Sequence, residues 1–268
     1  MIKNIKIFND TLKQCHENNK LATAVQKSIE NTVLYKAGDY PEISRKLDRN
    51  CRILTTHERT VESAVNLHKL YPDKKITILN FASAVNAGGG VALGANAQEE
   101  SICRCTTLYP CLRTNKLTMG YYLPHILRLN FCYTDSCIYT PDVMVIKSGA
   151  YPENLAENER FTIDMITCAA PNLSFAWLPK KKLYEIHKKR GSHILSVAAA
   201  NGTDILVLGA FGCGAFRNNP DTVSQAYIDI LPGFMGYFSE IRFAVYSLSP
   251  DSRNFKAFNK IPEKLDCK

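Results

Sequence analysis

Apolar positions along the chain follow two rhythms. Four short runs, at 76–81, 142–147, 204–209 and 241–248, are largely β-branched or aromatic and are bounded by polar or Gly/Pro residues, which predicts buried strands. Around them, apolar residues recur at helical spacing. This predicts one helix through Val61, Val65 and Leu67-His68, a second over 97–109 before Pro110, a third over about 182–200 and a fourth over 220–231. Upstream, Leu12 and Cys15, then Leu21, Val25 and Ile29, predict a helical stretch over about 8–28, accessory to the core. Strand and helix alternate, so the pattern predicts a layered α/β domain.

Two helix starts carry their own signals. Asn219 suits a cap, Pro220 the first helical position and Asp221 the positive end of the helix dipole, with Val223, Ala226, Tyr227 and Ile230 forming one face behind them. Asn96 followed three residues later by Glu99 predicts a capping box, opening a helix that buries Ile102, Cys105 and Leu108.

Composition narrows the class. In 268 residues, 46% hydrophobic and 22% charged is the make-up of a folded chain and excludes disorder. No repeat or low-complexity linker offers a place to cut it, so 1–268 is expected to be a single domain, with 1–50 as an N-terminal helical extension. The longest uncharged stretch, 76–98, is interrupted by asparagines and three consecutive glycines, which excludes a membrane span there. Thirty-three Lys and Arg against 25 Asp and Glu leave a charge of +8, densest at Lys180-Lys181-Lys182 and Lys188-Lys189-Arg190. That excess favours anionic partners in general, but the clusters read as a solvated helix face. Nucleic acid is not expected as a partner, because aromatic and basic residues do not interleave in a recognisable module. The segment Met1-Ile2-Lys3-Asn4-Ile5-Lys6 lacks the apolar run of a signal peptide, so the ten cysteines are expected to be mostly buried thiols in a reducing cytoplasm. They form no C-x-x-C pair, and no metal or other cofactor is expected.

Two glycine-rich turns hold the candidate chemistry. The first follows a predicted strand as Leu79-Asn80-Phe81-Ala82-Ser83-Ala84-Val85-Asn86-Ala87-Gly88-Gly89-Gly90, then seven residues, then Gln98-Glu99-Glu100. Its three glycines leave room for close ligand approach, and adjacent carboxylates open the next helix. The second, Gly209-Ala210-Phe211-Gly212-Cys213-Gly214-Ala215-Phe216, is built to turn successive N–H groups toward an anion such as diphosphate, with Phe216 as a flat face for a sugar or base. Neither loop has the dinucleotide fingerprint, and the absence of a loop lysine excludes a P-loop ATPase. Cys213 reads as a small residue packed in the turn, Trp177 and Tyr184 as packing residues, and His57 as lying near a strand end where it lines a pocket. His16, His68, His125, His187 and His193 show no partner spacing and read as structural or surface residues.

Together, G-G-G-x7-Q-E-E after N-F-A-S, with G-C-G-A-F-x-N-x-P downstream, resembles the microbial-type poly(ADP-ribose) glycohydrolase family, a branch of the macrodomains. Supporting segments are Thr55-Thr56-His57-Glu58-Arg59-Thr60, Tyr139-Thr140-Pro141-Asp142-Val143, Ala169-Ala170-Pro171-Asn172, Val197-Ala198-Ala199-Ala200-Asn201-Gly202 and Ser249-Pro250-Asp251, with Phe211 where typical relatives have Trp. The resemblance implies a three-layer α/β/α macrodomain with a central mixed sheet that binds ADP-ribose or poly(ADP-ribose), carried on modified proteins. It implies Glu100 as the catalytic acid, Glu99 as its ribose-contacting neighbour and Asn86 on the distal ribose. Asn80, Gly88, Gly89, Gly90, Val91 and Gln98 would complete the first half of the ligand site. Gly212, Cys213, Gly214, Ala215 and Phe216 would form the diphosphate half. It leaves the adenine contacts and the oligomeric state open.

Breaking a ribosyl C–O bond needs a proton on the departing oxygen, and one carboxyl can supply it and later receive one from the attacking water. An ordinary Glu, with a pKa of about 4.3, is protonated in only roughly one molecule in 500 at pH 7, so the site must raise that fraction or draw on a neighbour. Successive helical residues point about 100° apart, which favours one dominant carboxylate over a symmetrical pair. The leading expectation is hydrolysis of ribose–ribose bonds in poly(ADP-ribose). The alternatives are a mono(ADP-ribosyl) protein hydrolase acting on an O-linked Ser, Thr or other adduct, and a non-catalytic ADP-ribose binder.

Overall fold

In the computed structural model, which describes residues 1–43, 51–128, 130–149, 151–249 and 251–265, seven strands form one sheet. They are β1 (Val33–Tyr35), β2 (Arg52–Thr56), β3 (Ile76–Phe81), β4 (Cys137–Val145), β5 (Phe161–Cys168), β6 (Ile205–Leu208) and β7 (Glu240–Ala244), in the order β1-β4-β5-β3-β6-β7-β2. The run from β5 to β2 is parallel, whereas β4 and β1 are antiparallel at one edge, so the sheet is mixed. Alternation along each strand feeds two cores: Leu79, Leu206 and Leu208 point to one face, and Ile76, Ile78, Ile205 and Val207 to the other.

Helices cover both faces. α1 (Ile2–Glu17), α2 (Asn19–Glu30), α3 (Thr60–Leu70), α4 (Gln98–Cys105) and the short α5 (Leu108–Leu112), α6 (Asn115–Leu117) and α7 (Leu123–Leu127) precede β4 in the chain; α3, α4 and α5 pack on the face carrying Ile76 and Ile78. α8 (Lys180–Ala200), α9 (Pro220–Ile230) and α10 (Arg253–Lys264) cover the other. The α/β/α layering is the expected one. No helix among the described residues is long and apolar enough to cross a membrane.

Several boundaries differ from the sequence pattern. The 8–28 helix is two helices, because the Asn18 side chain accepts from Lys20 N and Leu21 N and caps a second start. The 1–50 extension is not wholly helical, since β1 pairs with β4; residues 44–50 lie outside the described set, as does Pro250. The 142–147 strand begins earlier, at Cys137, and crosses Pro141 by a register shift with Asp142 in the left-handed region at φ 56°. The 97–109 helix breaks at Thr106, whose hydroxyl bonds back to Ile102 O while its backbone bridges to Val145. The Asn219 cap is present, with its side chain accepting from Thr222 N. The Asn96–Glu99 box is absent: Asn96 accepts from Arg104 Nη2 at 2.8 Å, and Glu99 is committed elsewhere.

The N-terminal helix is more than an accessory. Phe8 packs edge-on against Tyr109 at 4.8 Å, Thr11 donates to Arg104 O at 2.6 Å and Asn4 donates to Gly94 O. Buried Lys147 is neutralised by Asp10 at 2.8 Å and donates to Thr11 Oγ1. α1 therefore clamps the outer side of the first glycine turn and of α4.

Candidate active site

The C-terminal ends of the parallel strands meet along one edge, where open α/β sheets collect ligands. A cavity of about 530 Å³ lies there, bordered by Phe81 and Ser83 after β3, Glu99 and Glu100 on α4, Gly212 and Gly214 to Phe216 after β6, and Tyr246 after β7. Both glycine turns thus face one space, because β3 and β6 are hydrogen-bonded neighbours.

The first turn is folded onto its own acids. Glu99 is buried and accepts from Ser83 N at 2.7 Å, Gly88 N at 3.2 Å and Asn80 Nδ2 at 3.3 Å. Burial pushes its carboxyl up to about 8, the donors from Ser83, Asn80 and Gly88 pull it down, and the charge of Glu100 pushes it further up. Glu100, 7% exposed, accepts from Gly90 N at 2.9 Å through Oε1, whereas its Oε2 is shielded and has no partner. Gly89 has φ 58°, and a β-carbon there would sit 2.5 Å from Glu100 Oε1 and 3.2 Å from Glu99 Oε2. The two carboxylates therefore converge on the bare glycine backbone, no farther apart than the sum of those distances. Their surroundings are unequal, as expected for consecutive helical positions.

Gln98 borders the cavity and also acts as a clamp. Its Oε1 accepts from Phe81 N at 2.8 Å, and its Nε2 donates to Leu79 O at 2.8 Å and Thr60 Oγ1 at 3.1 Å, fixing the start of α4 to the end of β3. Asn80 and Val91 stand behind the cavity wall, the first under Glu99 and Thr167, the second packed with Phe8 and Cys103. Asn86 is exposed, does not border the cavity and donates its side-chain amide to Gly89 O, closing the turn.

The second turn is the reverse case. Buried Asn218 ties it from behind, its Nδ2 donating to Pro171 O at 2.7 Å, Phe216 O at 3.0 Å and Gly212 O at 3.1 Å. Its Oδ1 is held by His187 Nε2 at 2.8 Å; burial pushes that imidazole down to about 4, so it is neutral and presents N–H to the amide. The backbone amides of Gly214, Ala215 and Phe216 have no acceptor among the described residues. Three consecutive N–H groups without an acceptor thus lie on residues that border the cavity, the backbone feature an anion-binding nest requires. Cys213 is half-buried and does not border the cavity, and burial pushes its thiol strongly up, which disfavours it as a nucleophile.

Some walls carry no local sequence signal. The Arg59 guanidinium lies 3.8 Å over the Tyr246 ring, joining the ends of β2 and β7, and Asn254 approaches from α10. His57 is outside this cavity, stacked on Tyr246 and bonded to Ser247 Oγ at 3.1 Å. Trp177 does not pack on the core; it is 82% exposed. The nine described cysteines are free, and no group of three or more His, Cys, Asp or Glu among the described residues is placed to hold a metal.

Comparison with known proteins agrees with this geometry. A family model described as the catalytic domain of microbial-type PARG matches residues 5–148. The solved poly(ADP-ribose) glycohydrolase of Thermomonospora curvata is 28% identical, with a TM-score of 0.88 over 97% of this chain and 100% of that one. The same enzyme bound to the inhibitor ADP-HPD gives 28% and 0.85 over 96% and 98%. The enzyme of Deinococcus radiodurans in complex with ADP-ribose is 30% identical, with 0.80 over 90% and 98%. Among curated proteins, none matches.

Proposed function

Because the chain belongs to the microbial-type poly(ADP-ribose) glycohydrolase family, we infer that its cavity hydrolyses the ribose–ribose O-glycosidic bonds of poly(ADP-ribose) and releases ADP-ribose, with Glu100 as general acid and base. The observation that carries the role of Glu100 is its unpaired Oε2: a shielded acceptor without a donor at a cavity wall has a use once a ligand supplies one.

The order of elements supports one direction for the ligand. With the diphosphate on the amides of Gly214, Ala215 and Phe216 after β6, the distal ribose reaches β3 and α4, and the adenosine end runs toward the Arg59–Tyr246 wall at β7 and β2. Glu100 then protonates the departing 2′-oxygen of the preceding unit as positive charge builds at the anomeric carbon, and takes a proton from the water that attacks it. Glu99, neutral below about pH 8, contacts the ribose side and spares Glu100 a second negative charge when it ionises. Asn80, Val91 and Asn86 act by holding this arrangement, and Gln98 both holds it and borders the ligand's space.

We take residues 1–268 as one catalytic unit whose N-terminal extension braces the first turn, acting on polymer attached to proteins in the cytoplasm, where the free thiols stay reduced. Incubation with purified polymer is expected to release ADP-ribose. Glu100→Gln should lower kcat by about 100-fold or more while still binding ADP-ribose in calorimetry. Full activity in that variant would remove the mechanism.

A further inference from the structure

The lysine run at 180–182 and Trp177 find no place in the catalytic cavity. Phe175 is 71% and Trp177 82% exposed, and Phe131 lies 5.6 Å from Phe175 with their rings tilted by 34°. These rings stand on braced backbone: Asn172 N donates to Phe131 O at 2.7 Å, and buried Arg190 donates to Ala169 O and Cys132 O at 2.6 and 2.8 Å. The same strap is fastened to the diphosphate loop, Leu173 N to Phe216 O at 3.0 Å and Ser174 Oγ to Ala215 O at 2.6 Å. Lys180, Lys181 and Lys182 open α8 against the helix dipole, with no acid in its first turn and no ion pair within 4 Å among the described residues, although Lys180 acts on Asp221 at longer range. A bound polyanion relieves that repulsion.

We propose that this surface holds the ADP-ribose unit preceding the one in the cavity, with its adenine stacked on Phe175 and Trp177 and its diphosphate on the lysines. The placement rests on the glycohydrolase reading and follows the sheet. A terminal unit laid from β2 and β7 across β6 ends with its distal ribose at β3, and the next positions along that edge are the segments after β5 and before β4, which carry these rings. Each polymer unit offers one flat base and two phosphate charges, matching an aromatic shelf beside unpaired cations, as in non-specific single-strand binding.

The test compares the wild-type chain with Phe175→Ala/Trp177→Ala and with a triple Lys→Ser variant at 180–182. The substrates are long polymer and an ADP-ribose bearing p-nitrophenol at its anomeric carbon, which lacks a preceding unit. The expected result is a KM for polymer raised about tenfold, an unchanged kcat, unchanged hydrolysis of the phenyl compound, and a weaker salt dependence in the lysine variant. Trp177 is the only tryptophan, so in Glu100→Gln its fluorescence should be quenched by polymer and not by ADP-ribose that saturates the cavity. Equal losses on both substrates, no loss on either, absence of quenching, or a loss seen only with protein-attached polymer would overturn the proposal, the last assigning the surface to the acceptor protein. A wild-type chain that releases no ADP-ribose from polymer would instead overturn the glycohydrolase reading.

Discussion

The two glycine-rich turns look alike in composition and do opposite work. In the first, the amides of Gly88 and Gly90 are spent on Glu99 and Glu100, so the turn is an internal mount for two acids. In the second, carbonyls are tied back through Asn218 and the amides of Gly214, Ala215 and Phe216 have no acceptor among the described residues, which leaves them available to a ligand on the proposed reading. Glycine content therefore marks close backbone approach without telling what approaches; the partner of each amide decides that.

The sharpest way to break this comparison is the same substitution in both turns. Gly89→Ala forces a β-carbon onto the Glu100 carboxylate from a left-handed backbone, and turnover should fall about 100-fold, with about 1–3 kcal/mol lost in urea unfolding. Gly214→Ala meets no protein atom within 4 Å and should leave urea stability within about 0.5 kcal/mol and kcat at saturation within about twofold, any effect falling on KM. Equal effects in steady-state assays would show that the turns are not different in kind.

Asn218→Ala should separate them next. It removes one donor from each of three carbonyls, leaving Pro171 O without its partner, and strands the neutral His187, costing about 2 kcal/mol and weakening ADP-ribose by about tenfold in calorimetry, while kcat at saturation changes little. A fall in kcat with unchanged affinity would place the knot under the first turn instead.

The smallest expected effect is in pH. Glu99 has a folded pKa of about 8 against an ordinary 4.5, so the folded protein keeps a proton that the unfolded chain has lost. The stability it contributes is fully present below about pH 4.5 and lost as pH rises through about 8. Wild type should therefore weaken relative to Glu99→Gln between pH 5 and pH 8 in thermal unfolding, and wild-type kcat should decline severalfold as pH passes about 8. Parallel stability curves for the two proteins would mean that Glu99 is ionised throughout.

What the sequence made legible was whatever pattern and contact share. β3 is apolar at four of its six positions, and its bounds coincide with the predicted run over 76–81. β5 was missed because Asp164 interrupts it; that acid is buried, bonded to Tyr139 OH and paired with Lys75 at 3.0 Å, and nothing local announces those partners. The Q-E-E segment and both turns are legible as motifs. Which carboxyl is sunk among amides depends on how the turn folds back over α4, and Asn96 and Glu99 kept capping spacing although each bonds elsewhere. Asn218 with His187, and Arg59 with Tyr246, join residues far apart in the chain. Phe131 and Phe175 meet from separate segments, so no interleaving of aromatic and basic residues announces their contact.

The clamp of α1 on Gly94 and Arg104 ties the mounting of the acids to residues about ninety positions upstream. A chimera that joins this first helix to the body of a distant relative would put mismatched side chains beneath the glycine turn. It would fold and still hydrolyse poorly, until compensating changes restored the fit of helix and loop together.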